Sequence, residues 1–158
     1  MRAPRFWKDH RNKFNLISKV LEPISWIWII LTRIRINRVK QKASVPTVCV
    51  GNINLGGVGK TPTVIAIAEK LKAMGHKPHI VSRGYGGKLK GPVLVSEKYN
   101  SEQVGDEPLL LSMVAPTWVS KDRMTGSRAA IENGCDVIIL DDGFQNGSLF
   151  KDLSIIVV

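Results

Sequence analysis

The apolar positions of the chain fall into short continuous runs, separated by stretches in which they recur every three or four residues. "TVCV" at 47–50, "HIVS" at 79–82, "TWVS" at 117–120, "DVIIL" at 136–140 and "LSIIVV" at 153–158 read as strands, the continuous run of the first being that of a buried parallel strand. "PVLVS" at 92–96 is a further short candidate. Between these runs, helices are expected from Lys60 to Met74 closing at Gly75, over 107–115, and over 123–133 closing at Gly134. Strand and helix alternating at this spacing predict an α/β fold with a doubly wound, mostly parallel sheet. The final apolar run reaches the last residue, and the chain is expected to be the N-terminal part of something longer.

Upstream of the first strand the pattern changes. Residues 10–40 read as helix, bent or split at Pro23, with "ISWIWIIL" at its centre. Eight helical residues rise about 12 Å, far short of the roughly 30 Å hydrocarbon core of a bilayer. A spanning helix is not expected, and a signal peptide fits poorly because Arg33, Arg35 and Arg38 follow the apolar run.

Charge sharpens this reading. The net charge is +10, and residues 1–42 hold 11 Lys or Arg against Asp9 and Glu22, whereas 43–158 hold 12 against 11 acidic residues. The basic character therefore belongs to the N-terminal segment. With Trp26 and Trp28 in the apolar run, it fits an interfacial helix on an anionic bilayer better than a nucleic-acid arm. The plainer reading is a helix packed on its own domain or on a partner. Two domains are expected: a basic amphipathic helical segment over 1–42 and a nucleotide-binding core over 43–158. Cys49 and Cys135 lie in or beside predicted buried strands without metal-ligand spacing, as small core residues of a reducing compartment.

Candidate chemistry sits where predicted strands end. "GNINLGGVGKTP" at 51–62 follows a strand and opens a helix, the context that a phosphate-binding loop requires. The usual first glycine is replaced by Asn54, and the glycines stand at Gly51, Gly56, Gly57 and Gly59. Asn54, Leu55, Gly56, Gly57, Val58, Gly59, Lys60, Thr61 and Pro62 are the expected ATP-binding residues, with Lys60 on the β- and γ-phosphates and Thr61 on Mg²⁺. Asp141 and Asp142 end the "DVIIL" strand, where open α/β sheets bind ligands, and are the candidate metal carboxylates; a solvated turn is the alternative. "SRGYGG" at 82–87 offers Arg83 to a phosphate or is merely a flexible turn. Asp106 in "VGDEP" reads from that segment alone as a helix N-cap, and alternatively as a general base.

"VGNINLGGVGKTP", "VSRGYGG", "VGDEP" and "DDGFQ", in this order and behind a basic apolar helix, resemble the tetraacyldisaccharide 4′-kinase family, the lipid A kinases of Gram-negative bacteria. The resemblance runs from about residue 4 to the end. It implies a P-loop NTPase-type core, transfer of the γ-phosphate of ATP to the 4′-hydroxyl of a tetraacyldisaccharide 1-phosphate, and a peripheral place at the cytoplasmic face of the inner membrane. It makes Asp106 the catalytic Asp, places Lys60 and Arg83 in the active site, and makes Thr61, Asp141 and Asp142 the metal residues. Nucleic acid is not an expected partner, and a monomer is expected. Many members have His after "DDGFQ", where this chain has Asn146. Members are also longer, with a second lobe that supplies substrate contacts and a histidine assisting the catalytic Asp. This chain by itself is therefore expected to be weakly active or inactive. A MinD- or ParA-like switch ATPase is the rival, but Leu55 stands where that group has its signature lysine.

Overall fold

The computed structural model describes residues 22–23, 25–30, 41–52, 59–144 and 146–158. The chain forms two units, Met1–Arg35 and Ile36–Val158. In the first, residues 22–23 and 25–30 are helical, with Trp26 62% and Trp28 72% exposed. The rest of the helix expected over 10–40 lies outside the described residues. Among the described residues no helix is long and apolar enough to cross a membrane.

The second unit is built on a six-stranded sheet. Its strands are β1 (Thr47–Asn52), β2 (Pro78–Ser82), β3 (Val93–Leu94), β4 (Thr117–Val119), β5 (Val137–Asp141) and β6 (Leu153–Val157). They lie in the order β3-β4-β2-β5-β1-β6, and all neighbours are parallel except the β3–β4 pair. The helices are α1 (Lys60–Ala73), α2 (Ser101–Val104), α3 (Asp106–Ser112) and α4 (Arg123–Glu132).

Successive strand residues face opposite sides of the sheet, and the continuous apolar runs therefore feed two cores. Cys49, Val81, Ile138 and Leu140 pack on one face with Trp118 and Ala130, the latter from α4. Val50, Ile80 and Ile139 pack on the other with Val64 and Ala68 of α1 and Leu111 of α3. Each large side chain buried this way contributes roughly 1.5–3 kcal/mol relative to exposure. The sheet is thus a mostly parallel one with helices on both faces. Both cysteines are buried free thiols.

Element ends follow their local chemistry. Helix α1 stops at Met74 because Gly75 takes φ +87. Helix α2, absent from the sequence reading, is a single turn closed by a reciprocal cap: Asn100 accepts from the Gln103 N–H, and Gln103 accepts from the Asn100 N–H. Strand β5 runs one residue further than the apolar pattern, so Asp141 belongs to the sheet.

Candidate active site

Strands β1, β2 and β5 are parallel neighbours, so their C-terminal ends deliver Asn52, Ser82 and Asp141 to one edge of the sheet. Helix α1 begins at that edge. Its N-cap, Gly59, has φ +79, and among the described residues no side chain caps the helix or places a carboxylate in its first turn. The N–H groups and the dipole at a helix start make this end suited to an anion. Asn54, Leu55, Gly56, Gly57 and Val58 lie outside the described residues. Pro62 is exposed in the first turn, where its missing N–H removes no helical bond.

The structure brings the loop and the acidic pair together. Lys60 Nζ lies 3.0 Å from Asp142 Oδ1, across 82 positions of sequence. Asp142 stands at φ +51, and its N–H donates to the Val50 carbonyl of β1 at 3.0 Å. Asp141 is 3% exposed and accepts from the Ser82 hydroxyl at 2.8 Å. Burial pushes the Asp141 carboxyl above its ordinary value, against the Ser82 hydroxyl and the Arg123 guanidinium, which favour the charged form. The two carboxylates are adjacent in sequence yet differ in kind: one is inward and locked, the other outward and paired with the lysine.

Glu107, which the sequence reading left without a role, also faces this cluster. It lies near enough to Asp141, Lys60, Asp142 and the Thr61 side chain for each to act on its charge. Desolvation, then the Asp141 charge, push its carboxyl up, while Lys60 opposes them. Buried Arg123 is the second unexpected member: its Nη2 donates to the Asp141 carbonyl at 2.6 Å. Burial lowers the Arg123 guanidinium below its usual value, and Asp141 and Asp142 resist that shift.

Asp106 does not act as the side-chain cap that its own segment suggested. The N-cap of α3 is Gly105, no side chain caps that helix, and Asp106 is its first residue, exposed. Arg83 is also exposed, one residue beyond Ser82, and its charge is felt at Arg123. The "SRGYGG" and "VGDEP" segments lie against each other, since a Cβ on Gly105 would stand 2.5 Å from the Tyr85 carbonyl oxygen. Asn146, where a histidine was noted in related sequences, shapes its own turn by accepting from the N–H and hydroxyl of Ser148 at 2.8 and 2.6 Å.

Among the described residues no three His, Cys, Asp or Glu converge as an all-protein metal cage. Magnesium does not demand one. It is usually held by one or two carboxylates and the substrate's phosphates, keeping several waters. Asp141 and Asp142, at the end of β5 beside Lys60, are carboxylates of that kind.

The sequence profile described as Tetraacyldisaccharide-1-P 4'-kinase matches residues 17–158. The chain belongs to this family. Members of the family named Tetraacyldisaccharide 4'-kinase include those of Parvibaculum lavamentivorans, 48% identical over 161 residues, and of Jannaschia sp., 49% identical over 160 residues. Both alignments take in all of this chain but 47% and 48% of those relatives, so the chain spans about half the length of the curated relatives it matches. The crystal structure of the "apo" form of LpxK from Aquifex aeolicus in complex with ATP has a similar fold. It matches with a TM-score of 0.74 and 35% identity over 89% of this chain and 49% of that one. Membership sets aside the switch-ATPase alternative, in agreement with Leu55 in place of the signature lysine.

Arg123 and Glu107 carried weak sequence signals. Glu107 directly follows Asp106, and an acid in the first turn of a helix is ordinarily explained by the helix dipole. A lone arginine opening a helix is ordinarily solvated.

Proposed function

We propose that this chain is the ATP-binding portion of a kinase that transfers the γ-phosphate of ATP to the 4′-hydroxyl of a tetraacyldisaccharide 1-phosphate in lipid A synthesis. The observation that carries the reading is the 3.0 Å pairing of Lys60 with Asp142 at the start of α1, in a chain whose residues 17–158 match the family. In this reading the core is of the P-loop NTPase type. The loop from Asn54 to Pro62 wraps the phosphates, and Lys60 exchanges Asp142 for the β- and γ-phosphate oxygens. Thr61, Asp141 and Asp142 would hold Mg²⁺, which would neutralise phosphate charge, and the Glu107 carboxylate stands near the Thr61 side chain.

Asp106 takes the proton of the acceptor hydroxyl as its oxygen bonds to the γ-phosphorus. The bond from that phosphorus to the bridging oxygen breaks, and ADP leaves. Arg83 faces the negative charge that spreads over the transferring group. The N-terminal segment, with its exposed Trp26 and Trp28, rests on the anionic cytoplasmic face of the inner membrane, where a lipid acceptor is found. The chain acts as a monomer.

The test joins this chain to the second half of the Jannaschia relative and follows label from γ-labelled ATP to the lipid. Asp106→Asn should reduce transfer about 100-fold or more, the usual contribution of a general base, and leave ATP affinity nearly unchanged. Full transfer by that variant would remove Asp106 from the chemistry.

A further inference from the structure

Arg123 is a charged side chain only 2% exposed, and nothing in the phosphate chemistry above employs it. It opens α4, but the helix start is already satisfied. Asp122 caps it, accepting from the Met124 N–H at 3.1 Å and the Thr125 hydroxyl at 2.6 Å. The guanidinium instead runs beneath the end of β5. Its Nη2 donates to the Asp141 carbonyl at 2.6 Å and lies 3.4 Å from the Asp142 carbonyl. Its Nη1 is buried without a hydrogen-bond partner among the described residues.

This is an unusual way to bury a cation. A desolvated guanidinium is best matched by a carboxylate, ideally through two parallel bonds. Two carboxylates belong to the very residues it touches, yet both are directed elsewhere: Asp141 to Ser82 and Asp142 to Lys60. Arg123 grips their peptide carbonyls and leaves their carboxylates available. The peptide it grips is also the one that needs restraint. Asp142 sits at φ +51, in the left-handed region disfavoured for a residue with a side chain. On the other side, the Asp142 N–H is held by the Val50 carbonyl at 3.0 Å. The kink lets two consecutive carboxylates reach separate partners at one sheet edge.

We propose that Arg123 is a positioning residue that clamps the Asp141–Asp142 turn in its left-handed form, so that both carboxylates are kept at the sheet edge where a nucleotide-borne cation would bind. The role rests on the reading of this edge as an Mg²⁺–ATP site. It predicts a selective defect. In Arg123→Gln the gain in ATP affinity on adding Mg²⁺ should fall at least tenfold, while affinity in EDTA, which depends on Lys60 and the loop, stays within about twofold. Hydrogen exchange of the Asp142 amide should quicken at least tenfold over that of Leu140. Arg123→Lys, which keeps the charge and one donor for the Asp141 carbonyl, should recover part of both losses, and it decides the matter if the Gln variant does not fold.

Fluorescent-ATP titrations with and without Mg²⁺, together with amide exchange, read these quantities. Equal weakening with and without Mg²⁺, or an unchanged Asp142 amide, would overturn the clamp and leave Arg123 as support for the fold. A folded wild-type chain that takes up no nucleotide would overturn the site reading instead, and Asp142 exchange in the two variants would still decide whether the clamp exists.

Discussion

Gly105→Ala is expected to be costly out of proportion to one methyl group. Gly105 joins α2 to α3 at φ +93 and ψ 156, a backbone region that is essentially open to glycine alone. Forcing alanine into it costs about 1–3 kcal/mol. The added Cβ would also stand 2.5 Å from the Tyr85 carbonyl oxygen and 3.4 Å from Pro108 Cδ. Relief requires moving the Arg83 loop or the start of α3, and such overpacking adds about 1–3 kcal/mol. The total is about 2–6 kcal/mol. At about 4 °C per kcal/mol for a unit of this size, the melting temperature should fall by about 8–24 °C. Gly134→Ala is the control: it too has a positive φ, +84, but its Cβ would meet nothing within 4 Å. It should cost about 1 kcal/mol, the left-handed penalty alone. Thermal unfolding followed by circular dichroism compares the two variants. Equal losses would show that the contact between the "SRGYGG" and "VGDEP" segments, which carry Arg83 and Asp106, does not constrain the fold.

Buried His79 gives a pH prediction. Its Nδ1 accepts from the Trp118 indole N–H at 3.3 Å, and burial pulls its pKa below 6.5 with Asp136 only partly opposing. The unfolded chain then binds the proton first, so stability should fall as pH drops below about 6.5 towards the lower folded value, by at most about 1.4 kcal/mol per pH unit. Denaturant unfolding at pH 7.5 and 5.5 should show His79→Gln, which keeps an acceptor for Trp118, losing less than wild type; identical losses would rule His79 out as the source. At the membrane, replacing Trp26 and Trp28 together by Ala should weaken co-sedimentation with anionic vesicles at least tenfold, because each exposed indole can bury an area worth about 2 kcal/mol. Undiminished binding would remove the interfacial helix.

The sequence made the strand ends legible, and with them most of the site. Short apolar runs bounded by glycine or acidic residues and spaced by helical periods mark strands of a parallel sheet, and residues such as Ser82 and Asp141 that terminate them gather at one edge. Direction was not legible. "DDG" shows two equivalent acids, whereas the fold buries Asp141 against Ser82 and turns Asp142 outward to Lys60 through a left-handed residue. That division depends on β5 extending through Asp141 and on the Val50 carbonyl of β1, neither of which is local to the motif. Arg123 was hidden for the same reason, since its partners are main-chain carbonyls 18 and 19 residues away. Helix α2 escaped because four residues are too few to show a period, although the Asn100 and Gln103 pair was present to mark its cap.

The central claim is that α1 and the end of β5 form a nucleotide site organised around Lys60. Isothermal titration of the folded chain with ATP and Mg²⁺ tests it most directly, beside Lys60→Met. The exposed side of the Lys60–Asp142 pair limits its contribution to stability to about 1 kcal/mol or less, so the variant should remain folded. Loss of two charge-assisted bonds to phosphate should nevertheless reduce ATP affinity about 100-fold or more. The account predicts one ATP per wild-type chain and almost none for the variant; a folded wild-type chain that gives no ATP signal, or a variant that binds as well as wild type, would contradict it.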